Sequence, residues 1–189
     1  MYLDENILVS YQFNASTIGQ LYQLNRQINN QHLKEYTPSR WIHDIMLNHE
    51  TARHIMIGVS HDELMLESAR RFKIDLEQYL NHTGNSDCTI RMVIWKEHST
   101  SMQKFERAFV DNEPDLWIIF SKPLSFSRLL KRLYRNPKFK SEQTFCISNM
   151  CSHYLMQLIG YKYFEGMKGI SPIGCEWHVS EGEIELKIS

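Results

Sequence analysis

The sequence has no apolar stretch approaching the roughly 20 residues needed to cross a bilayer, so a membrane-spanning helix is not expected. Its first residues, Met1-Tyr2-Leu3-Asp4-Glu5, lack the basic start and apolar core of a signal peptide. There is no Cys-x-x-Cys pair: Cys88, Cys146, Cys151 and Cys175 are scattered, which suits reduced thiols in the cytoplasm better than a disulfide frame. Only 8 glycines occur, none in a Gly-x-Gly-x-x-Gly or Gly-Lys-Ser/Thr arrangement, so the phosphate-cradling loops are missing. Charged residues at 23%, mixed in sign, and 5 prolines exclude collagen-like or disordered chains.

Against these absences stand 42% hydrophobic and 12% aromatic residues, enough for a sizeable core in a 189-residue chain. Residues 1–50 read as an extension packing on the core, and 51–189 as an α/β domain. A strand within Leu3–Phe13 alternates Ile7, Val9, Tyr11 and Phe13 to one face. A helix follows from Ser16 or Thr17, with Ile18, Leu21, Leu24 or Asn25, and Ile28 in its loose stripe. Thr37-Pro38 opens a second helix with Trp41, Ile42, Ile45 and Met46 as its seam.

From His54 strands and helices alternate. His54–Val59, Thr89–Trp95, Leu116–Phe120 and Thr144–Ser148 read as strands. Ser60 with Glu63 reads as a capping box for a helix whose inner face is Met65, Ala69, Phe72, Leu76 and Tyr79. Ser99–Val110, the segment around Phe126–Leu133, and Cys151–Ile159 complete the helices. Two short strands, Gly174–Val179 and Glu183–Ile188, flank Ser180-Glu181-Gly182 as a terminal hairpin. The fold class predicted is three-layer α/β with a mostly parallel sheet, an N-terminal helical extension and a C-terminal β-hairpin.

The 19 residues Lys122–Lys140 hold seven cations and no acid. The whole chain has 21 Lys+Arg and 22 Asp+Glu, so the remainder sums to 14 − 22 = −8. Arg128, Lys131, Arg132 and Arg135 follow i, i+3, i+4, i+7 and share one helix face, opposite Phe126, Leu129, Leu130 and Leu133. Lys138 and Lys140 extend the charge into the next turn, where Tyr134 and Phe139 stand as candidates for stacking on bases. An ordinary solvated helix end has the same pattern, since the helix dipole favours cations there. The functional expectation is a surface for an anionic partner: an acidic protein surface, or nucleic acid or a nucleotide. A homodimer is compatible with the chain. No cofactor is expected.

The stretch Pro114-Asp115-Leu116-Trp117-Ile118-Ile119-Phe120, followed by Pro123 and a Leu-Leu-x-x-Leu helix, resembles the receiver domain of response regulators over about residues 54–149. The resemblance implies a flavodoxin-like fold and a regulatory role. Receivers place a phosphate-accepting aspartate at the end of that strand, where this chain has Phe120. Val59-Ser60-His61 stands in place of the metal-binding acidic pair, with Asp62 and Glu63 displaced toward the helix, and Ser148 matches the family's switch Ser/Thr. The implication is a degenerate pocket of Asp62, Glu63, Phe120 and Ser148, without phosphorylation at the usual position.

Other constellations are weaker. Cys151-x-His153 with Cys175-x-x-His178 supplies zinc-type ligands, but their spacing diverges on a helix or a strand. His43-Asp44 and His61-Asp62 echo metal phosphohydrolases of a helical family, and a Cys–His nucleophile pair has no local signature. A non-catalytic binding module is therefore the main expectation. An enzyme of unrecognised type is the alternative, with Asp62, Glu63, Cys151, His153 and His178 as its candidates.

Overall fold

Leu116–Phe120 is buried at every residue, which places it at the centre of a sheet covered on both sides. The computed structural model describes residues 9–10, 38–85, 87–96, 98–147, 150, 152–170 and 176–187. Its elements are β1 (Val9–Ser10), α1 (Pro38–Leu47), β2 (His54–Ser60), α2 (Glu63–His82), β3 (Thr89–Trp95) and α3 (Gln103–Val110). They continue with β4 (Leu116–Phe120), α4 (Pro123–Leu133), β5 (Thr144–Ile147), α5 (His153–Ile159), β6 (Lys168–Ile170), β7 (Glu176–Ser180) and β8 (Glu183–Lys187). The expected helix from Ser16 or Thr17 lies outside the described residues.

The sheet has eight strands in the order β1-β8-β7-β6-β5-β4-β2-β3. Strands β3, β2, β4, β5 and β6 are parallel, whereas β7, β8 and β1 join antiparallel. Counted from β2, the parallel strands run 2-1-3-4-5, the flavodoxin-like doubly wound order. The three-layer α/β fold class expected from the sequence is the one observed.

Alternation on β4 divides the core. Leu116, Ile118 and Phe120 join Ile55, Ile57, Val59, the inner face of α2 and Ile42, Ile45 and Met46 of α1. Trp117 and Ile119 join Trp95, Phe109, the inner face of α4, Met156, Phe164 and Trp177 on the other side. A doubly wound sheet normally continues from its fifth parallel strand into a helix. Here the chain turns instead into the β7–β8 hairpin, and α1, from the N-terminal side, packs beside α2.

Two departures from expectation are local. The cap of α2 is Asp62, whose carboxylate accepts the Met65 N–H at 3.3 Å; Ser60 is a buried strand residue, not half of a capping box. Strand β6 has no expected counterpart, because Lys168-Gly169-Ile170 offers neither an apolar run nor alternation. Its glycine is required by packing: a Cβ at Gly169 would lie 2.4 Å from the Cys146 carbonyl and 2.5 Å from the Trp177 ring.

The carboxylate of Asp115 joins the starts of two strands. It accepts the backbone N–H groups of Arg53 at 2.8 Å, just before β2, and of His54 at 2.9 Å, the first residue of β2, while preceding β4 itself. Burial alone would raise its pKa, but these bonds outweigh it and hold the carboxyl below its ordinary range.

Candidate functional site

In an open parallel sheet, the ends of neighbouring strands whose crossovers run to opposite faces leave a crevice where ligands bind. Here that point lies between the C-terminal ends of β2 and β4, because α2 and α3–α4 sit on opposite sides. Asp62 and Lys122, each two residues past its strand, close it with an ion pair of 3.1 Å. The hydrogen bond from Lys122, with that from the Met65 N–H, lowers the Asp62 carboxyl's pKa. Ser60 and Ser121 are buried at the same level; the Ser121 hydroxyl donates to the Lys122 carbonyl at 3.0 Å, and the Ser60 hydroxyl has no partner among the described residues.

The receiver-like pocket expected here does not assemble as a pocket from its described members. Asp62 is engaged by Lys122, and Glu63 is exposed on the first turn of α2. Phe120 is 2% exposed and packs edge-on against Phe72 of α2, with ring centroids 5.4 Å apart. It belongs to the core under α2, not to the crevice mouth. Ser148 lies outside the described residues.

The cationic side of α4 is exposed as expected, since Phe126, Leu129, Leu130 and Leu133 turn inward. Two of its expected properties change. Its charges are partly met from within the molecule: Arg132 Nε lies 2.7 Å from Glu106 of α3, and Lys138 Nζ lies 2.8 Å from Glu113. Phe139 is not a surface stacker; its ring packs on Trp117 at 5.2 Å. Tyr134 is 50% exposed and meets Tyr163 edge-on at 5.1 Å. The ammonium groups of Lys131 and Lys162 lie 5.6 and 5.1 Å from the Tyr163 ring centre. Arg128, Lys131, Arg135 and Lys140 are all exposed. Sequence spacing misses Lys162 and Tyr163, which reach this surface from the 3-10 turn at Tyr161–Tyr163.

A groove of about 300 Å³ opens between the C-terminal part of α1 and the β5–β7 surface. Asp44, Asn48 and His49 line one wall, and Phe145, Lys168, Ile170, Glu176 and His178 the other. The register sets Lys168 opposite His178 and His178 opposite Glu185, so three titratable side chains cross β6, β7 and β8 in one row. His178 Nε2 lies 3.0 Å from Glu185. Burial, and secondarily the Lys168 ammonium, push the His49 imidazole below its ordinary pKa, which favours its neutral form. Nothing in the sequence pattern joins residues 44–49 to residues 168–178; the sheet order does.

The remaining candidates separate. Cys151 and Cys175 lie outside the described residues, His153 is hydrogen-bonded to the Tyr161 hydroxyl, and His178 pairs with Glu185. His43 and Asp44 contact each other at 3.4 Å on α1, and His61 is exposed. Among the described residues no three His, Cys, Asp or Glu side chains are placed to hold a metal ion. Cys146 is fully buried and its thiol is pushed far up by that burial, which makes it a poor nucleophile. No helix of the described residues is long and apolar enough to cross a membrane.

No protein-family model matches the sequence, and no curated protein matches it. Among solved structures, the fold is similar to an amino acid ABC transporter substrate-binding protein from Pseudomonas fluorescens Pf-5. That similarity has a TM-score of 0.52 at 10% identity, over 72% of this chain and 35% of the other. It is also similar to an extracellular ligand-binding receptor from Verminephrobacter eiseniae ef01-2, with a TM-score of 0.52 at 8% identity, over 70% and 36%. The chain thus matches little more than a third of each of these proteins, and the likeness is one of α/β fold.

Proposed function

We propose that the protein is a non-catalytic regulatory module, receiver-like in its strand order, that docks an acidic protein surface through the cationic side of α4. The observation that carries this reading is the exposure of Arg128 and Lys131 on α4 and of Arg135 and Lys140 just beyond its end, with the opposite side of the helix committed to the core. Glu106 and Glu113 punctuate the same surface through their pairs with Arg132 and Lys138. A nucleic-acid backbone, uniformly negative, would meet those acids unfavourably, whereas a protein surface of mixed charge can match both signs. The inward position of Phe139 also removes one of the two aromatics that base stacking would use.

The test compares the wild type with the triple variant Arg128→Glu/Lys131→Glu/Arg135→Glu. Binding of a glutamate-rich peptide with interspersed lysines and of a single-stranded oligonucleotide is measured over a range of salt. Salt-sensitive peptide binding, reduced at least about tenfold in the variant, supports the docking surface. Equal binding by both proteins removes it. Oligonucleotide binding with a log–log salt slope of about −2 or steeper, without peptide binding, transfers the surface to nucleic acid.

The groove favours a second reading, in which a small polar molecule binds between α1 and β6–β7. Lys168 and His178 offer partners for an anionic group and Glu176 for a donor, over a floor containing Phe145 and Ile170. The names of both similar structures refer to ligand or substrate binding, which lends this reading its context. A thermal-shift screen of amino acids and small carboxylates tests it. Stabilisation should disappear in Lys168→Ala, and no stabilisation by any compound would end this reading.

A further inference from the structure

Strand β3 ends the sheet: it pairs with β2 along all seven residues and, among the described residues, has no strand on its other side. Edge strands are commonly protected by prolines, bulges, short length or unpaired charge. Thr89-Ile90-Arg91-Met92-Val93-Ile94-Trp95 has no proline, and its single charged side chain is matched by Asp111 at 2.8 Å. Ile94 is 38% exposed. A regular, β-branched, nearly uncharged edge about 23 Å long is a template for another strand.

We propose that β3 is a self-association edge, on which a second copy of this chain pairs antiparallel about a two-fold axis at Met92. The register follows from geometry. A two-fold axis normal to the sheet keeps each face on its own side, and directly opposed residues of an antiparallel pair point to the same face. The axis therefore passes midway between a residue and its own copy, which lie directly opposite each other. At Arg91 it would set two arginines directly opposite each other, which is unfavourable. At Ile90 or Ile94 only residues 89–91 or 93–95 would pair, and at Val93 only 91–95. At Met92 the whole strand pairs: Ile90 meets Ile94, Arg91 meets Val93, and Thr89 meets Trp95. Each arginine then has an apolar residue opposite it and keeps its own Asp111. The contact is isologous, so it closes at two copies instead of extending into a fibre.

Sedimentation of the full chain at micromolar concentration tests the edge, and engineered cysteines test the register. The wild type should sediment at twice the chain mass of 22.5 kDa. Ile94→Lys, at an exposed position, should give a monomer with an unchanged circular dichroism spectrum. Under mild oxidation Met92→Cys should form a disulfide-linked dimer, because directly opposed Cα atoms lie about 4.5–5.5 Å apart, within disulfide range. Val93→Cys should cross-link at least about tenfold less, since its copies are diagonal, about 7–8 Å apart. A monomeric wild type, a dimer that survives Ile94→Lys, or equal cross-linking at 92 and 93 would each overturn the proposal. Should Ile94→Lys unfold, the pair of cysteine variants decides alone.

Discussion

The two faces of the sheet are filled by different chemistry and extend over different strands. Under α3, α4 and α5, indole and phenyl rings dominate: Trp95 contacts both Phe109 and Phe126, and Trp117 contacts Phe139. That cluster continues beneath β7 and β8 through Trp177, Val179 and Ile184. Under α1 and α2 the residues are mainly branched aliphatics, with Phe72–Phe120 as an aromatic pair, and the buried cluster reaches only to Ile147 of β5. The polar groove lies on this second face, beyond the cluster's last strand. Large rings bridge a wide span of sheet; aliphatic packing depends on a helix directly above it. Beyond that cluster Lys168, Glu176 and His178 occupy this face of β6 and β7 and look across the groove toward the C-terminal part of α1.

Four substitutions probe this contrast. Phe120→Asp should be the most damaging, since it removes a buried ring from under α2 and places a carboxylate in an apolar site. A loss of about 5 kcal/mol, or failure to fold, is expected. A stable Phe120→Asp protein in urea denaturation would mean that the position faces the crevice after all. On the opposite face of the same strand, Trp117→Ala should cost about 4 kcal/mol, because the indole N–H also donates to the Phe109 carbonyl at 2.8 Å.

Gly58→Ala should cost about 2 kcal/mol, because the added Cβ would lie 2.4 Å from the Phe109 ring. Adding Phe109→Leu should make the pair of changes less than additive, by about 1 kcal/mol, in a double-mutant cycle read by urea denaturation. Additive losses would show that the ring has room to move.

The smallest effect belongs to Asp115→Asn, about 1 kcal/mol at neutral pH after allowing for its exposure to solvent. The Asp115 pKa is lowered in the fold, so its contribution is present above the ordinary carboxyl range and lost as pH falls through the folded value. The difference between variant and wild type should therefore shrink below about pH 4. A difference constant from pH 7 to pH 3 would contradict the role of the ionised carboxylate.

The central strands and their helices were legible because each carries its own signal. Leu116–Phe120 is a continuous apolar run, and the inner faces of α2 and α4 recur at helical spacing. The amphipathic geometry of α4 was equally readable, although its charge pairs were not, since Glu106 and Glu113 come from the preceding helix and loop. Strand β6 escaped notice because its three residues are strand only by virtue of neighbours on both sides. The groove was invisible for a related reason: its two walls, Asp44–His49 and the strands from Phe145 onward, are far apart in sequence and meet only through the tertiary fold.

The replacement of a final helix by a hairpin has a mechanical consequence. Val9 pairs with Leu186 and Ser10 with Glu185, so the incoming and outgoing strands lie side by side and antiparallel at one border. A pull applied through Val9 and Lys187 loads their hydrogen bonds one after another, as in opening a zipper, instead of shearing them together. The border should yield at low force, while the parallel strands β2, β4 and β5, held through internal bonds on both sides, bear little of the initial load.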